Sequence, residues 1–255
     1  MTTPEIHHAP SERGTIELIG PSHCTFTRSI ALALHELGIP YIAIHRAPHS
    51  ADVRSLNPYG LTPVLRHRQE GLYASPETTV VLSASHAVRR YIDEHLAPLC
   101  SRSTLTPPLR VGDAKSVVER SKCDAWIESI SHTLFPAIEA GYVGSALQMR
   151  KNGADGETIN VALELELNRV QALLEIVESQ AKAAGEGAWV MGGNEITWAD
   201  LFLFPILDDL RASPAGGLLS GNSPTFPWLA AWMSRMDSRP SVKATHEGTV
   251  AHHAQ

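Results

Sequence analysis

Every strand-like stretch of this chain lies before residue 83, and from residue 114 onward nothing reads as a strand. That asymmetry limits the fold to a small α/β domain followed by an all-helical one. Residues 15–20, Thr-Ile-Glu-Leu-Ile-Gly, alternate as a strand does. Phe26, Ile30, Ala33, Leu34 and Leu37 then recur every three or four residues, which predicts a helix ended by Gly38 and Pro40. Residues 41–45 predict a second strand, 51–56 a short helix, 63–66 a third strand and 80–82 a fourth. Ser85 is the expected N-cap of a helix running to about His95. A helix between the first two strands favours a parallel pair, and the last two favour a hairpin.

The expected boundaries follow from these patterns. Residues 1–14 form a disordered tail, 15–97 the α/β domain, 98–113 a linker, 114–245 the helical domain and 246–255 a C-terminal tail. The linker holds Pro98, Pro107, Pro108 and Gly112, and the tails hold His7-His8 and His252-His253. In the helical half, Leu163, Leu167, Val170, Leu174, Val177 and Ala181 predict one long helix. Trp126, Ile130, Leu134 and Ile138 predict another, interrupted near Pro136. Thr197 and Asp200 have capping-box spacing, so Asp200 is read as the start of a core helix rather than as a catalytic acid.

Composition removes several classes of function. A net charge of −6 and a pI near 6.1 argue against nucleic acid as the main partner. No apolar run approaches the roughly 20 residues of a membrane span, and the N-terminus has no apolar signal core. A cytoplasmic protein is the expectation. Cys24, Cys100 and Cys123 are widely spaced and odd in number, which fits a reducing compartment. Thirteen histidines form no metal-ligand spacing on a predicted element, so no metal is expected.

Two features carry chemistry. Pro63 heads the third strand after Asn57-Pro58-Tyr59-Gly60-Leu61-Thr62, and a proline gives a sheet no N–H. The strand is therefore expected at an edge or at a special bend. A cis bond there turns the Thr62 N–H and C=O outward, where an extended peptide adds like a strand. Cys24 lies between a strand and a helix N-terminus, where backbone N–H groups favour a thiolate, its own or a ligand's. Ser22 and Thr25 supply hydroxyl donors; a small buried filler is the alternative for Cys24. Cys123 reads as core and Cys100 as inert. Ser85 joins a helix N-terminus suited to a carboxylate, and Arg46 and His49 suit either an anionic ligand end or plain surface charge.

Over residues 15–245 the chain resembles a cytosolic glutathione transferase of the serine/cysteine type, not the tyrosine type. Four segments carry the resemblance: Cys24-Thr25-Phe26-Thr27-Arg28 through Gly38-Ile39-Pro40-Tyr41, Asn57-Pro58-Tyr59-Gly60-Leu61-Thr62-Pro63-Val64-Leu65, Ile196-Thr197-Trp198-Ala199-Asp200-Leu201, and Phe226-Pro227-Trp228 through Arg239-Pro240-Ser241-Val242. The resemblance implies a thioredoxin-like domain that binds glutathione, a helical domain, and a homodimer. It implies that Cys24, or Ser22, contacts the glutathione sulfur. Thr62 would bind the cysteinyl backbone with Pro63 as cis-proline, Ser85 the γ-glutamyl carboxylate, and His49 the glycine end. Ala84 stands where the family has Glu or Gln, which predicts weaker glutathione binding. A second register puts Ser75 in the place of Ser85; the Ser85 register makes residues 69–78 an insertion.

The expected reaction is attack of a glutathione thiolate on a small hydrophobic electrophile. Lowering the glutathione thiol pKa from about 9 toward about 6–7 raises its thiolate fraction by roughly one to two orders of magnitude. Cis-trans isomerisation, thiol reduction through a Cys24 mixed disulfide, and a non-catalytic binding module are the alternatives. Trp126, Ser129, His132, Thr133 and Phe135 are the candidates for the electrophile pocket, or else a core stripe.

Overall fold

The computed structural model describes residues 5–6, 14–68, 79–185, 187–221 and 224–253. It divides into two compact units, Met1–Leu105 with Pro240–Thr249, and Thr106–Arg239 with Val250–Gln255.

In the first unit the strands β1 (Glu5–Ile6), β2 (Thr15–Ile19), β3 (Ile42–Ile44), β4 (Val64–Arg68) and β5 (Thr79–Ser83) form one sheet in the order β1-β3-β2-β4-β5. β2 and β3 are parallel because helix α1 (Thr25–Glu36) carries the chain back across the sheet. β4 runs antiparallel to both β2 and β5. Helix α1 is buried nearly all round, at every residue from Thr27 to Leu34, and Gly38 ends it with Ile39 N–H bonded to Leu34 O. Alternation in β2 sends neighbouring residues to opposite faces. Ile19 packs with Val53 of α2 (Ala51–Leu56) and with Val64. Glu17 is buried in the same strand, its carboxylate bonded by Arg66 directly opposite and by Arg68 at 3.2 Å. Helix α3 (Ser85–Tyr91) continues through a π-type turn (Ile92–Leu96) into α4 (Ala97–Leu99). Leu105 and Thr106, expected in a solvated linker, are buried, and Leu105 N–H donates to Asp93 at 3.0 Å.

Two expectations change here. Pro63 does not mark an edge: β4 lies between β2 and β5, and the proline sits one residue before the first paired residue, Val64. No ladder bond is lost because Pro63 stands outside the ladder. The N-terminal tail is not wholly without structure, since Glu5–Ile6 pair with Ala43 and Ile42.

The second unit is helical. Helix α5 (Ala114–Ser129) does not stop at Pro136; π-type windings over Ile130–Leu134 and Pro136–Val143 carry it into α6 (Gly144–Lys151). Wider turns accommodate a proline that would clash in a regular helix. Helix α7 (Gly156–Ala162) and the long α8 (Glu164–Ala183) follow. Helix α9 (Trp198–Arg211) is the centre, buried from Trp198 to Leu210. α10 (Pro227–Asp237) packs against α8 and α9.

Asp200 organises the start of α9. Its carboxylate is 0 % exposed and accepts four bonds: Val190 N–H and Trp232 Nε1–H on one oxygen, Thr197 N–H and Thr197 Oγ1–H on the other. Burial pushes its carboxyl above the usual carboxylate range, and the donors pull against that. The capping box predicted from Thr197 and Asp200 is present.

The chain end also departs from expectation. Helix α11 (Pro240–Ala244), read as part of the helical domain, belongs to the first unit, where Ser241 bonds Glu36. The tail after residue 246 is ordered through α12 (Val250–His253), with Thr249 and Ala251 buried. Among the described residues no helix is long and apolar enough to cross a membrane.

Candidate functional site

β2 ends at Ile19, and Pro21-Ser22-His23 turn the chain into α1. Cys24 N–H closes that turn on Pro21 O at 3.0 Å. Cys24 is the N-cap of α1, with extended φ −78° and ψ 114°, and its carbonyl accepts the first helical bond from Arg28 N–H. Its side chain caps nothing. The half-buried sulfur instead meets Thr62: the Thr62 hydroxyl donates to Cys24 Sγ at 3.5 Å, and Sγ stands 4.0 Å from Thr62 O.

Asn57 shapes the loop that delivers Thr62. Its Nδ2 donates to Leu61 O at 2.9 Å, its Oδ1 accepts from Tyr59 N–H at 3.2 Å, and its carbonyl accepts from Gly60 N–H. The buried side chain thus stands in for two backbone partners of the turn, and the Asn57 carbonyl supplies the third bond. Gly60 has φ +71°, and a Cβ there would stand 2.5 Å from His49 Nδ1. Only glycine lets His49 close on the turn, and His49 N–H donates to Gly60 O at 2.7 Å. The Thr62–Pro63 peptide is cis.

The β4–β5 register brings the third piece. Val64 lies opposite Ser83, so Ala84 and Ser85 follow the strand to the side of Pro63 and Thr62. Ser85 is buried, but it is the first residue of α3 rather than its N-cap; Ala84 holds that position, with no side-chain cap. Ala84 has φ +69°, a left-handed conformation that costs a residue with a Cβ about 1 kcal/mol or more. The first helical bond of α3 is Val88 N–H to Ala84 O, so the N–H groups before it face outward from the helix start.

Cys24, Thr62, Pro63 and Ser85 therefore lie along one end of the sheet, and His49 braces the loop beside it. Ser22 turns elsewhere: its Oγ is 3.3 Å from His45 Nδ1. His45 was missed in the sequence; only its place at the end of a strand parallel to β2 points to it. Trp126 and Ser129 border a groove of about 390 Å3 with Lys122, Gln180 and Met191 in the second unit. His132 and Thr133 do not line that groove; both are exposed, and His132 pairs with Glu128 at 3.1 Å. Ser75 and the 69–78 insertion lie outside the described residues.

Known proteins align with this arrangement. The family described as "Glutathione S-transferase, N-terminal domain" matches residues 23–95, and "Glutathione S-transferase, C-terminal domain" matches 160–235, together more than half of the chain. A probable glutathione S-transferase of Oryza sativa subsp. japonica, GSTF1, is 23% identical over 236 residues, covering 89% of this chain and 94% of its own. Glutathione S-transferase GstB of Escherichia coli K12 is 24% identical over 89% of this chain and 96% of its own. Among solved structures, a Tau class glutathione S-transferase from mango, Mangifera indica, superposes with TM-score 0.69 at 20% identity, covering 94% and 97% of the two chains. A glutathione transferase family member from Pseudomonas fluorescens, solved with two glutathione molecules bound, superposes with TM-score 0.67 at 20% identity, covering 94% and 95%.

Proposed function

We propose, from the premise that this chain belongs to the glutathione S-transferase family, that it binds glutathione along the Cys24–Thr62–Ser85 end of the sheet and presents a thiolate there to a small hydrophobic electrophile. The observation that carries this reading is the Thr62 hydroxyl bonded to the Cys24 sulfur at the start of α1. A sulfur in that place has a hydroxyl donor and a helix N-terminus beside it, both of which favour negative charge.

The remaining residues divide the tripeptide between them. The Thr62 main chain bonds the cysteinyl residue as an added strand would, with Pro63 setting the peptide orientation. Ser85 and the first turn of α3 receive the γ-glutamyl carboxylate. His49 faces the glycine carboxylate. Ala84 offers the γ-glutamyl amino group no side chain. The electrophile pocket is assigned to the groove bordered by Trp126 and Ser129, and the protein to the cytoplasm, without a metal.

The expected result of a calorimetric titration is one glutathione per chain, tightened roughly five- to tenfold in Ala84→Gln, the gain of one hydrogen bond. Absence of binding in both proteins sinks the reading and leaves a non-catalytic module.

The same contact favours thiol transfer as a second reading. Cys24 thiolate attacks the sulfur of a glutathione mixed disulfide, forms a Cys24–glutathione disulfide and releases the substrate thiolate. A second glutathione thiolate then attacks that disulfide, giving oxidised glutathione and restoring Cys24.

A homodimer is also assigned. Tyr59 is 81 % and Leu61 56 % exposed on a loop otherwise held rigid by Asn57, an apolar pair suited to burial against a second copy. Tyr59→Ser is expected to shift sedimentation toward monomer; a wild-type protein that sediments as monomer removes the assignment.

A further inference from the structure

Cys24 ends a four-residue turn, Pro21-Ser22-His23-Cys24, closed by Cys24 N–H on Pro21 O at 3.0 Å. A turn closed in this way moves as a unit, so whatever holds Ser22 also places Cys24. Two parts of the first unit hold Ser22. On one side its Oγ is 3.3 Å from His45 Nδ1, just past the end of β3. On the other stands the returning stretch Pro240–Thr249.

That stretch is itself fixed. Ser241 Oγ bonds Glu36, the last residue of α1. Thr245 N–H and Thr245 Oγ1–H donate to Ser241 O at 3.1 and 3.0 Å. A second turn, His246-Glu247-Gly248-Thr249, is closed on His246 O by Thr249 N–H at 3.2 Å and by Thr249 Oγ1–H at 2.7 Å, and Thr249 is fully buried. Gly248 is the third residue of that turn, with φ +72°, a conformation that favours glycine. Space is its second requirement. A Cβ on Gly248 would stand 3.2 Å from Ser22 Cβ and 3.3 Å from Ser22 Oγ. Apart from the chain neighbours of Gly248, no other heavy atom of the described residues would lie within 4 Å of it. The bare Cα of Gly248 is seated against Ser22 alone.

We propose, on the reading of Cys24 as the sulfur of the site, that Gly248 is a positioning residue for it. The 246–249 turn and His45 grip Ser22 between them, and the grip sets how closely Cys24 Sγ meets the Thr62 hydroxyl, 3.5 Å away. A side chain at 248 pushes Ser22 by a few tenths of an ångström, and the displaced turn draws the sulfur off its donor. A donor favours the ionised sulfur, which is the attacking form. The end of the chain thereby tunes a thiol near its beginning.

Iodoacetamide is the probe: the Cys24 thiolate attacks its carbon, a thioether forms and iodide leaves. Mass spectrometry of peptides from the alkylated full chain reads Cys24 and Cys100 separately. Gly248→Ala is expected to slow Cys24 alkylation at neutral pH about three- to tenfold. Cys100, half-buried in the same unit, is expected to react as before. Gly248→Asn adds the same Cβ on a residue that tolerates positive φ better, and is expected to match the alanine variant. Made in Ser22→Gly, where both contacting atoms are gone, Gly248→Ala is expected to have no effect relative to that background. A Cys24 rate that is unchanged or higher, the same fall in the Ser22→Gly background, or a fall of the same size at Cys100 would each overturn the proposal. Alkylation involves no glutathione, so its outcome and that of the glutathione titration stand apart.

Discussion

Cys24→Ala is expected to lower turnover of a glutathione mixed disulfide by roughly three orders of magnitude or more, because the attacking atom is gone. Glutathione affinity in that variant should change little, since the proposed site holds the tripeptide by Thr62, Ser85 and His49. Cys24→Ser separates the two chemistries. A serine hydroxyl can donate to a glutathione thiolate, so conjugation of an aryl electrophile should persist within about tenfold. It cannot form the mixed disulfide, so reduction should disappear. Steady-state assays with both substrates read the difference. Loss of reduction alone makes Cys24 a nucleophile; loss of both makes it the holder of the glutathione sulfur as well. Full activity of Cys24→Ala in both assays would be falsifying, and would move the role to Ser22, whose hydroxyl now bonds His45.

Asp200→Ala is expected to be the most destabilising single change, at about 4 kcal/mol, with the melting temperature lowered by about 8–16 °C. The carboxylate is fully buried and satisfies Val190 N–H, Thr197 N–H and Trp232 Nε1–H at once. Alanine leaves these three N–H groups, and the Thr197 hydroxyl as well, without that acceptor. Asp200→Asn keeps one acceptor oxygen for Val190 and Trp232 but turns an NH2 group toward the Thr197 donors, so it should fall between. Thermal denaturation of both variants checks the order. An alanine variant as stable as the asparagine one would show that the capping bonds contribute little. Neither variant touches Cys24, and glutathione affinity of the folded fraction should be unchanged.

Much of this molecule was legible in its residues, for identifiable reasons. Helix α8 announces itself because it buries one face, and one-sided burial writes a period into the sequence. Asp200 was legible because capping is local: donor and acceptor lie three residues apart. Cys24 and Thr62 were singled out separately, one at a helix start and one before a proline, and the fold brings them within 3.5 Å. Position in the sheet was not legible. Pro63 argues for an edge or a special bend, and the bend is what the fold uses: the Thr62–Pro63 bond is cis, the ladder begins one residue later and β4 lies in the interior. Pro136 argues for a break, yet a wider winding absorbs it. His45 was invisible because its partner, Ser22, is 23 residues away and nothing local couples them. Ser85 begins α3 as its place in the sequence suggests, but the N-cap falls one residue earlier, on a strained alanine that capping preferences do not lead one to expect.

The return of Pro240–Thr249 to the first unit has a temporal side. Ser241 meets Glu36 across 205 residues of chain. During synthesis at about 5–20 residues per second, the stretch from Leu105 to Pro240 takes roughly 7–27 s to emerge. The sheet and α1 wait that long for α11 to pack beside them, and the first unit is finished only after the intervening helices have been made.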